Sequence, residues 1–252
     1  PELLSLTVSC EDVAGQAYLL QCLVDALPEH FHLRTLDSVL AACAKVHWAV
    51  DLRPLLQELM RRLTAHVKSQ QPEQCPTHIF GIFHAHLRQL RARPRSPALP
   101  LASLLELQLE LGLLTLALHP GNAGRVEMVL EGTVELLGGG ALDERSVEAI
   151  VSVLASPLTQ EQLVPVVLAM PHHARLMAAL DHGAQREAAL ATVTALLAGD
   201  VALGSPETVQ RMLTLVDCLV RDEGGGTDGE RHIRHDAAAF TAEQEKVAML
   251  VH

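Results

Sequence analysis

Aromatic residues are nearly missing: one tryptophan, one tyrosine and four phenylalanines in 252 residues. Sheet cores lean on aromatic and β-branched side chains. Here leucine, valine and alanine must do the packing, which suits helices laid side by side. Cysteine is sparse as well. Cys10, Cys22, Cys43, Cys75 and Cys218 are odd in number, no two lie within ten residues, and no CxxC pair occurs. Neither a disulfide framework nor a sulfur metal site is suggested, and a reducing cytosolic setting is expected. No uninterrupted apolar run reaches about 18 residues, so no transmembrane segment is expected. Nothing signal-like follows Pro1, and His252 falls within a helical pattern, so the chain reads as cut from something longer. Positive charge is in deficit, with 19 Lys and Arg against 30 Asp and Glu, a net charge of −11. Nucleic acid and anionic lipid are both polyanions, so no nucleic-acid partner is expected.

Familiar catalytic motifs are absent too. Gly121–Gly124 and the triple-glycine runs lack both a following GK[ST] and a preceding strand, so turns and helix ends account for them. No GxSxG elbow and no HExxH occur.

What is present is apolar and helical. Hydrophobic residues make up 49% and charged residues 19%, enough to bury a core. Ser9 and Asp12 can cap a first helix running to Leu27, where Pro28 stops it. A second, from about Thr35 to His47, carries Leu36, Val39, Leu40 and Cys43 at the spacing of one helical stripe. Asp51 caps a third to about Ser69, with Pro54 tolerated in its first turn. A fourth spans Thr77 to about Arg93, and the proline-rich Pro94–Pro100 breaks the chain. In Leu101–Leu118, Leu105–Leu111 alternates with period two, as a strand would. Leu, Glu and Gln favour helices, and the length overshoots a strand, so the spacing predicts a helix with a wide apolar face between neighbours.

Further helices are expected over Arg125–Leu137, from the Asp143 cap to Ala155, and from a Thr159/Gln162 capping box onward. Pro171 opens a short helix ending near Asp181, and another runs Gly183–Ala198 up to Gly199. Ser205 and Pro206 start one whose Val209, Met212, Leu213, Val216 and Val220 form the cleanest stripe in the chain. Residues 223–239 read as a flexible Gly-rich loop before a last helix from Thr241. The total is about eleven or twelve helices broken roughly every 15–25 residues, the spacing of stacked helix hairpins in one continuous segment over 1–252.

Fourteen histidines make metal binding worth weighing. His84 and His86 point to different faces of a helix, His78 lacks a further partner, and His172 and His173 sit in a turn. His232, His235 and Asp236 have the best spacing, since HxxH can put two imidazoles on one helical face. They lack a third ligand and second shell, so a solvated polar loop is the simpler account. The dense basic cluster Arg88, Arg91, Arg93 and Arg95 lies at a helix C-terminus and in the loop after it. Exposed carbonyls favour cations there. Docking on an acidic head group or acidic partner is the functional alternative. No residue is therefore assigned as catalytic, cofactor-binding or metal-ligating.

Several short runs carry a family resemblance: VSC with Asp12 at Val8–Asp12, YLLQC at Tyr18–Cys22, and the Pro28–Leu36 connection PEHFHLRTL. Leu40–Ala44 (LAACA), Leu130–Leu137 (LEGTVELL) and Ala242–His252 (AEQEKVAMLVH) follow in the same order. Together they resemble the vacuolar protein sorting-associated protein 35 family, the large α-solenoid subunit of the retromer coat. The resemblance implies an all-α, HEAT-like solenoid with no enzymatic activity and no cofactor. It implies a cytoplasmic scaffold held peripherally on endosomal membranes, acting in retrieval of transmembrane cargo to the Golgi or plasma membrane. Its partners would be the arrestin-like and metallophosphoesterase-fold retromer subunits, with cargo tails and sorting nexins engaged indirectly. The family's N-terminal Pro-Arg-Leu-Tyr-Leu contact motif is absent here, and the chain ends about where the C-terminal half begins. Both main docking sites are thus expected outside this segment. Another helical-repeat adaptor, karyopherin-like or clathrin-adaptor-like, is the rival reading, as is a helical metal-dependent hydrolase. A single Trp48 argues against a karyopherin groove.

Overall fold

The computed structural model describes residues 2–69, 78–92, 99–138, 141–199, 201, 203–220, 245–246 and 248. Among them are twelve α-helices and no strand, the all-α class expected for an α-solenoid. The chain divides into two compact units, residues 1–120 and 121–252.

The first unit holds α1 (Glu2–Ser9), α2 (Val13–Ala26), α3 (Glu29–Cys43), α4 (Arg53–Ser69), α5 (Ile79–Ala92) and α6 (Leu101–Leu118). Each packs on helices one or two along: α1 on α2 and α3, α2 on α4, α3 on α4 and α5, and α6 on α4 and α5. This local pattern is how a helical repeat buries stripes that no single hairpin can cover. The core runs through Leu20, Leu36, Leu56, Leu59, Leu63, Ile79, Phe83, Leu105 and Leu111, all nearly inaccessible. Phe83 is the largest of them, and leucines with Ile79 fill the rest, as the aromatic-poor composition requires.

The helix α6 settles the period-two ambiguity. Its buried set includes Ala102, Leu105, Leu107, Gln108, Leu111, Leu114 and Leu118, which wraps more than one face. With α4 and α5 both against it, the helix is sandwiched, and alternating leucines serve two neighbours rather than two faces of a sheet. At 18 residues and a mean hydropathy of 1.6, α6 is long and apolar enough to cross a membrane. It also carries Glu106 and Glu110, which take Arg53 Nη1 at 3.1 Å and Arg61 Nε at 2.6 Å from α4. A helix so paired and packed is a core helix.

Boundaries differ from expectation most at the N-terminal helices; the second expected helix also ends at Cys43 rather than His47, and the one expected over Arg125–Leu137 spans Ala123–Val134. Residues 2–9 form a separate helix α1, and Ser9 turns its hydroxyl back to Leu6 O instead of capping forward. Asp12 alone caps α2, accepting Gly15 N–H at 2.6 Å. The helix α3 begins at Glu29, six residues before Thr35, where Pro28 supplies an extended N-cap and buried His32 lies 3.0 Å from Val24 O near the end of α2.

The second unit holds α7 (Ala123–Val134), α8 (Glu144–Ala155), α9 (Val164–Val167), α10 (Pro171–Ala179), α11 (His182–Ala198) and α12 (Pro206–Val220). Asn122, Asp143 and Asp181 cap α7, α8 and α11 by accepting the N–H of Arg125, Ser146 and Ala184. Ser205 Oγ accepts Thr208 N–H at the start of α12. The Thr159/Gln162 capping box does not form. Pro157 and Pro165 break the segment into 3₁₀ turns at Ser156–Thr159 and Glu161–Leu163 before the one-turn α9, and Thr159 Oγ donates back to Ser156 O. Because these pieces are short, α7 reaches past them to α10, and α8 to α11.

The stripe proposed for α12 also needs correction. Thr208, Met212, Val216 and Leu219 are buried, while Val209 and Leu213 are 36% and 46% exposed. Among the described residues α12 packs chiefly on α11, so one neighbour covers a narrower stripe than the apolar residues span. The Gly-rich 223–239 segment and the start of the last helix at Thr241 lie outside the described residues.

Candidate interaction surface

Polar side chains first explain how the helices are held in register. Gln16 is buried at the start of α2. Its amide donates to Val8 O and Cys10 O, and its carbonyl accepts His47 N–H at 2.8 Å, tying the α1–α2 turn to the α3–α4 connection. Arg62 on α4 does the same for the α2–α3 turn. Its guanidinium donates to Val24 O, to Leu27 O at 3.1 Å, and twice to Glu29 Oε1 at 2.8 and 3.0 Å. It therefore satisfies the carbonyls at the C-terminal end of α2 and pairs with the first residue of α3, complementing both helix ends. The same guanidinium holds the Glu29 carboxyl below the usual carboxylate range. In the second unit His172 on α10 pairs with Glu127 on α7.

Of the histidines, His78 is exposed, His84 stacks on Phe80 with ring centroids 5.4 Å apart, and His86 is buried. That disposition matches the different faces expected for His84 and His86. His172 and His173 lie in the first turn of α10 rather than in a turn ahead of it. His173 is buried, and that burial pushes its pKa down to about 4, so it is a neutral core residue at physiological pH. Among the described residues no group of three or more His, Cys, Asp or Glu is placed to hold a metal. His232, His235 and Asp236 lie outside the described residues. Cys43 is fully buried on α3, and burial pushes its thiol up to about 12, leaving it protonated and unreactive.

Arg88 and Arg91 belong to the last turns of α5, where helix-end carbonyls favour cations, and Arg93 and Arg95 lie outside the described residues. The Gly121–Gly124 segment is a turn. Gly121 adopts φ +76° and donates its N–H to Gln160 Oε1 at 2.8 Å, and Asn122 caps α7. The bonding is internal, which is the turn reading of these glycines.

Two clefts open at the surface of the first unit, one of them mainly apolar. A groove of about 450 Å³ between α1, α2 and α3 is lined by Leu3, Leu4, Leu23, Leu27, Phe31 and Val39, with Glu2 and Thr35 among its few polar groups. Leu3 is 63% exposed and Phe31 40%. A second, more polar cleft of about 440 Å³ between α3 and α5 is lined by Asp37, His78, His86 and Gln89 as well as by Leu40 and Ile82. The first can receive another apolar helix or side chain, and neither offers an arrangement of nucleophile, base and oxyanion donors. Sequence reasoning missed Arg62, Gln16 and the Glu127–His172 pair. The partners that link separate helices stand 31 to 45 residues away, so no local spacing signals them.

The whole of residues 1–252 matches the family model for vacuolar protein sorting-associated protein 35. Similar proteins include vacuolar protein sorting-associated protein 35B of Arabidopsis thaliana, 27% identical over 256 residues. Its counterpart 35C from the same plant is 28% identical over 255 residues, and vacuolar protein sorting-associated protein 35 of Dictyostelium discoideum is 28% identical over 259. Each alignment covers 100% of this chain and 32% of the relative, so the chain spans about a third of the length of the curated relatives it matches. With a family match that covers residues 1–252, over helices packed on their near neighbours, the chain belongs to the vacuolar protein sorting-associated protein 35 family.

Proposed function

We propose that this chain is a non-enzymatic scaffold segment of the retromer coat, serving vacuolar and endosomal protein sorting. In this reading residues 1–252 act as one continuous stretch of α-solenoid in the cytoplasm, held peripherally on endosomal membranes. The observation that carries it is the family match over the full length of a chain built of neighbour-packed helices. Gln16 and Arg62 tie turns among α1–α4 to one another, which favours the fixed geometry a spacer needs. Retrieval of transmembrane cargo to the Golgi or plasma membrane then follows from joining the arrestin-like and metallophosphoesterase-fold subunits to the membrane. Their main docking sites lie outside this segment, and cargo tails and sorting nexins are reached through those subunits. Catalysis and a resident metal have no part in the proposal.

A chimera tests it directly. Residues 1–252 replace the matching third of a curated relative in cells lacking that relative. The expected result is restored assembly with both partner subunits and restored cargo retrieval, whereas the isolated 1–252 chain captures neither subunit. A chimera that folds but fails in retrieval overturns the scaffold reading. Zinc bound one-to-one after dialysis, and lost on His232→Ala with His235→Ala, would favour the hydrolase instead.

A further inference from the structure

We draw no further inference here: the strongest candidate, the apolar groove between α1, α2 and α3 lined by Leu3, Leu23, Leu27 and Phe31, carries nothing because nothing in the structure shows what covers it.

Discussion

Replacing Arg62 by alanine isolates the contribution of one side chain to the α2–α3 turn. The guanidinium is 21% exposed and its partner Glu29 is 32% exposed. Alanine removes the donors that reach Val24 O, Leu27 O and Glu29. Val24 O keeps one donor, since His32 Nε2 lies 3.0 Å away. Leu27 O and the Glu29 carboxylate depend more heavily on Arg62. A hydrogen bond to a charged group contributes roughly 1.5–3 kcal/mol net, and water replaces part of that at a partly exposed site. The expected loss is therefore about 2–4 kcal/mol. For a chain of this size each kcal/mol lowers the melting temperature by about 2–4 °C. Glu29→Gln should cost less than about 1 kcal/mol, because it removes only the partly exposed charge and keeps an oxygen acceptor. Arg62→Lys should recover little, since one ammonium cannot span acceptors on both sides of the turn.

The pH dependence adds a second check. Because Arg62 lowers the Glu29 pKa, the pair's contribution is complete above the unfolded carboxyl value of about 4.3. It fades as pH falls through the lower folded value. The gap between Glu29→Gln and the wild type should thus narrow in acid. Urea titration of each variant, with amide exchange in the last turn of α2, reads both effects. If Arg62→Ala unfolds within about 0.5 kcal/mol of wild type, or Glu29→Gln costs as much as Arg62→Ala, the turn is not held by these bonds.

Three further outcomes are expected. Met212→Asp should destabilise by more than about 3 kcal/mol through an unpaired buried carboxylate, whereas Leu213→Asp, at 46% exposure, should be nearly silent; parallel thermal melts compare them. Gly121→Ala should cost about 1–2 kcal/mol from the left-handed backbone, with the Gln162 side chain 3.2 Å from the new methyl able to swing aside, as measured by chemical denaturation. His173 should make stability fall as pH drops from about 6.5 to about 4, because the unfolded imidazole binds a proton that the folded one resists. His173→Phe should flatten that limb of the pH profile, and an unchanged slope would count against it.

Much of the fold was legible because helix punctuation is local. Asp143 and Ala155 bound α8 as read from the sequence, Leu101 and Leu118 bound α6, and Gly199 ends α11. Caps, prolines and terminal glycines act within a few residues, so they can be read without a structure. The Thr159/Gln162 box failed because two prolines close by impose 3₁₀ geometry on a segment whose capping residues alone suggest a helix. The face of α12 failed for a different reason. A stripe tells which residues are apolar, whereas burial depends on how many neighbours arrive. One neighbour covers Met212 and Val216 and leaves Leu213 outside.

That distinction also explains why the interaction surface was harder to read than the fold. In a helical repeat, an apolar side chain serves either the next helix of the same chain or another molecule, and composition alone treats the two alike. The stripe on α6 reads correctly because α4 and α5 flank it on both sides. Leu3 and Phe31 have the same chemistry, yet they line an open groove. Charge separates the two cases better than hydrophobicity does. On α6, Glu106 and Glu110 meet Arg53 and Arg61, so the partner helix is written into both sequences as complementary charges, about one turn apart on α6 and about two on α4. A groove meant for a particular helix should show the same signature at its rim. Among the described residues lining the α1–α3 groove, Glu2 is the one carboxylate and no Lys or Arg joins it, so its sequence specifies apolar contact without specifying a partner.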